Sequence, residues 1–489
     1  MAQPSFPNRQ PAVPPPGGAF GPPVPAGSLA PPTPPPRPPG RGRRAWRPAV
    51  LAVVLAVAVL VTGGALLLLA DRGGSGTSGT EAEAAAGDAA GPRLPAEVID
   101  AEMAWAGNAP AGDGQSIEAR GLWYQDGLVV KHMGDAITAF AAATGDEAWT
   151  FPLAPGEFGC RASVTADAGR IALHQGFHCE ILTVLDIVTG EEVMSLEMTS
   201  HPPPSQFDVP AILGDTVAVG YGTGTGGAGY SISQEQQIWR TEPGETCPET
   251  GYAVWDDMFV SVVSCAQGAG DRGGVRATTE SGRELWRWRV EEGEAFAVLG
   301  VLSVEPLVVY GQYGQGYGGG DVAFLVVDDA RESVATEIAW DDDRHGAPCS
   351  RGDLSGCPLA LVEGDRLYAV DSLIGNSIRV HDLTAGHALY EITPEHGGIV
   401  TLAGSVDGEV LLYEGPEGGS GVVRALDPAT EETRDVMRLN QRAEERGIMT
   451  DALSRTYWRT VWVAPENALL LELLSRAGTG EESLLIAYR

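Results

Sequence analysis

The stretch Phe140-Ala-Ala-Ala-Thr144-Gly145-Asp146-Glu147-Ala-Trp149 decides the fold, because the chain keeps returning to it. It recurs as Leu185-Asp186-Ile-Val-Thr189-Gly190-Glu191-Glu192-Val-Met194 and as His381-Asp382-Leu-Thr384-Ala385-Gly386-His387-Ala-Leu-Tyr390. A shorter copy is Ser281-Gly282-Arg283-Glu284-Leu285-Trp286. Worn copies run from Val327 to Glu332 and from Leu426 to Glu431. With the glycine or glutamate as marker, the copies stand at 145, 190, 282, 332, 386 and 431. The double gap between 190 and 282 predicts a hidden copy near 235. There Glu235 is followed four residues later by Trp239, the spacing of Gly145 to Trp149 and Gly282 to Trp286.

Each copy reads as a hairpin. An apolar-Asp pair ends one strand, Thr-Gly makes the turn, and an aromatic marks the return strand. Glycine supplies the positive φ that such a turn requires. Two further strand-like runs precede most copies, such as 128–133, 170–174, 216–221 and 366–370, bounded by Gly, Asp and Pro. Four strands at a period near 45 residues are the mark of a propeller blade. The chain ends on 468–474 and 483–488, a hairpin lacking its return strand. Val98–Ala106, which contains Trp105, is positioned to supply that strand and so remove an exposed edge. The expected fold is therefore all-β, an eight-bladed propeller over 96–489, with seven blades as the alternative.

This pattern resembles the pyrroloquinoline-quinone-like repeat family, whose blades carry an apolar-x-x-Asp-x-x-Thr-Gly-x-x-x-Trp signature at the turn into the fourth strand. The resemblance implies an eight-bladed ring in which aromatic residues dock neighbouring blades. That role falls here on Trp105, Trp149, Trp239 and Trp286. Some members are quinone-dependent dehydrogenases that stack the cofactor near two adjacent, mutually bonded cysteines. This chain has no Cys-Cys pair, so no cofactor is expected. A propeller by itself selects neither an enzyme nor a scaffold.

Outside the repeats, residues 48–70 (PAVLAVVLAVAVLVTGGALLLLA) carry no charge, long enough as a helix to cross a hydrocarbon core of roughly 30 Å. The preceding 47 residues hold six arginines and no acid, and their Pro31–Arg44 stretch favours an extended polyproline conformation. By the positive-inside rule this disordered, Pro/Arg-rich tail is cytoplasmic and everything after the helix is outside the cell membrane. A Gly/Ser/Ala/Glu linker, 71–95, follows. One lysine, Lys131, stands against 31 arginines, which reads as the imprint of a GC-rich bacterial genome. The net charge of −33 argues against nucleic acid or anionic lipid as partner of the outer part.

All six cysteines follow the membrane segment. Cys160 and Cys179, and Cys247 and Cys265, each flank a first-to-second strand hairpin, and Cys349 and Cys357 bracket a short loop. Three local disulfides fit an oxidising exterior; the competing reading is a metal site at His174, His178 and Cys179.

GxGxxG occurs at 222–227 and 314–319, but a strand rather than a helix is expected after each, which argues for long hairpin loops. Asp341-Asp342-Asp343 reads as a solvated acidic loop, and Arg438–Leu453 as a surface helix. Arg351-Gly352-Asp353 is given no weight as an adhesion motif. The resulting expectation is a non-enzymatic binding or scaffold module for protein partners in the cell envelope. The alternatives are a ligand sensor built on the glycine-rich loops and a quinoprotein oxidoreductase.

Overall fold

The computed structural model describes residues 93–489 apart from 110–116, 155–159, 199–207, 222–225, 242–246, 268–269, 292–293, 315–319, 374–376, 396, 416–419, 442–457, 464–465 and 477–481. The membrane segment and the tail expected at 1–70 lie outside the described residues, as does most of the linker. Among the described residues no helix is long and apolar enough to cross a membrane.

Eight antiparallel blades follow one another, a new one every 40 to 60 residues or so, and a parallel pairing of Arg272 with Phe296 joins blades 4 and 5 into one sheet. Blade 1 spans 122–152, and blade 2 is built on 170–197 with a bridge from Ala162 to Leu173 as its first strand. Blades 3 to 7 span 211–240, 249–289, 296–340, 360–392 and 399–439. Blade 8 takes three strands from 458–488 and its fourth from the start of the chain, Met103–Ala109, antiparallel to Glu482–Tyr488. That closes the ring.

The closing strand begins later than Val98 because the chain first serves another blade. Ile99–Ala101 runs parallel to Thr433–Leu439 on the rim of blade 7. At Glu102 it steps across, exchanging backbone hydrogen bonds with Arg489.

Strand order within blades 1 to 7 follows sequence order, and burial peaks in the middle strands. The second and third strands are almost wholly buried, as in Arg170–Gln175 and Val322–Val327. The fourth strands, such as Glu147–Pro152 and Gln236–Arg240, show mostly exposed residues and form the circumference. Apolar clusters lie between successive blades; Trp123, Val130, Ile137, Ile171 and Leu185 join blades 1 and 2.

The turns match the repeat. Gly145, Gly190, Gly282 and Gly386 all have φ between 72° and 78°. Where glycine is lost, Glu235 and Glu431 hold the left-handed conformation at φ 50° and 60°. In blade 5 this position is Arg331 (φ 56°), one residue before Glu332, so the repeat there is displaced by one. The aspartate of each apolar-Asp pair caps its turn: Asp186 Oδ1 accepts from the amides of Val188 and Thr189 and from the Thr189 hydroxyl. The amide and hydroxyl of Thr189 and the amide of Val188 outweigh partial burial and hold that carboxyl below its usual range.

Two local expectations need correction. Arg438 and Leu439 end a strand, Thr433–Leu439, rather than start a helix, because Leu439 alternates inward and is buried; 442–457 lie outside the described residues. Asp341 and Asp343 are exposed, but Asp341–Asp343 is not a loop. Asp341 caps a single helical turn, Asp342–His345, and Asp342 accepts a 2.5 Å hydrogen bond from Tyr310.

Candidate functional site

The first strands of the blades surround the central channel, and the segment joining blades 5 and 6 folds into it. The Cys349–Cys357 disulfide closes that segment, with Cα atoms 4.9 Å apart. It rests on Gly300 of the first strand of blade 5, where any Cβ would lie 2.9 Å from Cys357 Sγ. Backbone bonds fasten the loop to this strand: the Val301 amide donates to Asp353 O (2.9 Å) and the Gly356 amide to Val301 O (3.0 Å). Trp255 of blade 4 donates to Leu354 O at 2.7 Å, and Leu354 is buried. Across the ring, Arg120 at the start of blade 1 meets Asp353 Oδ1 at 2.9 Å. Blades 1 and 5 are opposite in a ring of eight, so the loop spans the channel as a plug. The aspartate of the Arg-Gly-Asp tripeptide is thus engaged internally and only 7% exposed, while Arg351 is exposed.

Beside the plug lies a cavity of about 280 Å³, lined by residues such as Arg161, Leu302, Leu402 and Arg459. Behind Arg459 is a buried ionic network. Glu472, wholly buried on blade 8, pairs with Arg459 and with Lys131 of blade 1, the latter at 3.2 Å, and accepts from the Gly121 amide. Lys131 Nζ also donates to the Ala119 and His132 carbonyls. Burial raises the Glu472 carboxyl, but Arg459 and Lys131 more than compensate and hold it below its usual value. His132 beside it is pushed down to about 3, by burial first and then by Lys131, so it is neutral.

The remaining sulfurs share a location. Cys160 precedes the first strand of blade 2 and bonds Cys179 in the connection between its second and third strands. Cys247 precedes the first strand of blade 4 and bonds Cys265 near the end of its second. In a blade, first strands begin and second strands end on the same side of the ring. These two disulfides therefore brace loops at one end of the propeller, and the third closes the plug segment that enters the channel from that end. His174 is a neutral buried residue, lowered to about 3 by burial, and His178 is exposed one residue from a bonded cysteine. The structure brings Cys179 to Cys160 and not to a metal-ligand set; among the described residues no cluster of three metal-binding side chains occurs.

The tryptophans sit at blade joints. Trp105 Nε1 donates to Ala142 O (3.0 Å), Trp149 Nε1 to Val188 O (3.1 Å) and Trp239 Nε1 to Glu280 O (2.9 Å), each in the following blade. Each indole covers the turn glycine of that blade: a Cβ on Gly145, Gly190 or Gly282 would lie 2.4 to 2.7 Å from the ring. Trp286 faces the blade whose glycine is lost, and the Arg331 guanidinium stacks over its ring at 4.3 Å instead.

Residues 102–246 match the family described as outer membrane protein assembly factor BamB. Over that stretch the repeats are PQQ-like. Among solved structures, similarity extends to the computationally designed Ika8 protein (16% identity, 64% of this chain and 98% of that one, TM-score 0.34). It extends also to BamB from Moraxella catarrhalis (14%, 78% and 99%, TM-score 0.40). A third is the quinohemoprotein alcohol dehydrogenase ADHIIG from Pseudomonas putida HK5 (12%, 80% and 76%, TM-score 0.44). No curated protein matches the chain.

Beyond the PQQ-like repeats, sequence reading missed the plug and the Lys131–Glu472–Arg459 network. A signal for the network existed: a lone lysine inside the apolar run Leu128–Met133 has to find a buried partner. No comparable signal links Arg120 to Asp353, which lie 233 residues apart.

Proposed function

We propose that this protein is a non-enzymatic binding module of the bacterial cell envelope. In this reading residues 48–70 anchor it in the cell membrane, and its propeller, outside the cytoplasm, receives a protein partner. One observation carries the reading: two disulfides cross-brace loops at one end of the ring, and the third closes the plug segment that enters the channel from that end. Cross-linked loops lose little conformational entropy when a partner docks, so a face of this kind is preorganised for recognition. Exposed apolar side chains stand on the same face. Phe177 is 57% exposed beside Cys179, and Leu373 is 59% exposed in the matching connection of blade 6. The match of 102–246 to an assembly factor supports a protein as the partner. The plug supports a scaffold over a channel enzyme, because Asp353 and Glu472 are both engaged by arginines.

The test is photo-crosslinking in living cells from a probe at Phe177, at Leu373, or at Val188 on the opposite end of the ring. Protein adducts are expected from the first two positions and not from Val188. No adduct from Phe177 or Leu373, or equal yield from Val188, overturns the reading.

A further inference from the structure

The joint between blades 3 and 4 is built unlike the others. Between blades 2 and 3 the space is filled by Leu182, Val184, Met194, Ile212, Val217 and Val219. Between blades 3 and 4 the buried apolar set shrinks to Ala211, Ala218, Tyr252 and Phe259. A cavity of about 330 Å³ occupies the joint, within the range of small-molecule sites.

Its walls are aromatic and polar. The third strand of blade 3, Gly227–Ser231, supplies bare backbone for two rings to lie on. A Cβ on Gly229 would fall 2.1 Å from Trp239 Nε1, and one on Gly227 would fall 2.0 Å from the Tyr252 hydroxyl. The two rings meet edge to face at 6.0 Å. The buried charges lining the cavity are matched within its wall, while Arg240, also in the lining, is exposed. Arg276 Nη1 meets Glu249 Oε1 at 2.5 Å, and Thr241 donates to Glu249 Oε2 at 2.9 Å. Arg276 Nε meets Glu284 at 3.0 Å. One further group is not matched. Thr278 is 97% buried, lines the same cavity, and its Oγ1 has no hydrogen-bond partner among the described residues. A hydroxyl stranded in that way costs about 1–3 kcal/mol unless something in the cavity meets it.

With the buried charges already paired, the orphan hydroxyl of Thr278 calls for a guest that both donates and accepts. The rings of Trp239 and Tyr252 give the cavity an apolar wall that suits the C–H surface of a saturated ring. We propose that this cavity binds a small neutral polyol, a monosaccharide or cyclitol, with one hydroxyl on Thr278 Oγ1 and its ring against Trp239 and Tyr252. The site is independent of the disulfide-braced face and stands or falls separately from it.

Saturation-transfer NMR on the full-length protein with D-glucose, D-galactose and myo-inositol, each at millimolar concentration, tests the assignment. Transfer to the ring protons of at least one is expected. Thr278→Val removes the hydroxyl with little change of shape. It is expected to weaken that binding roughly tenfold, the worth of one neutral hydrogen bond. Its melting temperature is expected to hold or rise, because the unmet buried group is gone. Thr278→Ala is read in the same way if the valine variant does not fold. Two results overturn the proposal: no transfer to any of the three, which leaves water as the cavity's occupant, or equal binding by the folded variant.

Discussion

Replacing Lys131 with methionine probes the ring where it closes. Lys131 is wholly buried, and its ammonium serves Glu472 on blade 8 and the carbonyls of Ala119 and His132. Methionine keeps the stem and removes the charge. Breaking a buried pair from one side typically costs about 3–5 kcal/mol, because the remaining ion loses its compensation. Arg459 stays on Glu472, so the lower end applies, about 3 kcal/mol, or more than a hundredfold in the folding constant. The pH dependence is the sharper part. Glu472 in the native protein lies below its ordinary value of 4.5, so its contribution is present above that value and fades as pH falls through the native one. In the variant burial acts with one cation fewer against it, and the carboxyl moves upward. The stability gap between wild type and K131M should therefore be full near neutrality and shrink once Glu472 is protonated. Urea unfolding followed by tryptophan fluorescence, near pH 7 and again below the ordinary glutamate value, measures both. A loss under about 1 kcal/mol near neutrality, or a gap that widens in acid, refutes the reasoning.

Further predictions concern the turns, the plug and the histidines. Gly190→Ala should destabilise by about 1–2 kcal/mol for its φ of 72°, and further because the new methyl meets the Trp149 ring; Gly364→Ala, at φ 60° with nothing within 4 Å, should show only the backbone part in the same urea assay. Removing the Cys349–Cys357 bond by a double alanine replacement should lower stability by about 2–3 kcal/mol for so short a loop, and increase amide exchange at Val301 and Gly356. His132 and His174, both lowered by burial from 6.5 to about 3, remain neutral in the fold but take up protons when unfolded. Stability should thus be unaffected by them above pH 6.5 and fall progressively towards about 3, with proton uptake on unfolding measurable by titration; no uptake in that window contradicts the assignment.

What was legible in the sequence is what repeats. The Thr-Gly turn and the aromatic four residues on are local, so the propeller, the hidden copy at Glu235 and the closing role of the Trp105 strand could be read off, while the choice between seven and eight blades stayed open. Where a copy is worn, the register slips: in blade 5 the left-handed residue is Arg331 and not Glu332. Contacts made once, between distant segments, leave no period. The plug depends on Arg120 meeting Asp353 across the ring, and the polar joint of blades 3 and 4 on glycines 227 and 229, which read as strand breakers until the rings lying on them are seen.

The unrepeated contacts are not scattered at random, and the topology explains one group of them. Seven of the eight joints link blades that follow one another in the chain, so covalent continuity keeps them together. Blade 8 is joined to blade 1 in sequence only through its outermost strand, Met103–Ala109, so its three strands from 458–488 must be held by that strand and by side chains. Three sets of residues cross this joint: Trp105 on Ala142, Tyr124 on Glu466 at 2.6 Å, and Glu472 between Lys131 and Gly121. Two of the three use a carboxylate of blade 8 and a donor of blade 1. A directional bond of that kind fixes register, which apolar packing alone leaves free to slide. The one lysine of the chain is spent at this joint. On this argument the joint, rather than any single blade, sets how the ring opens when it unfolds.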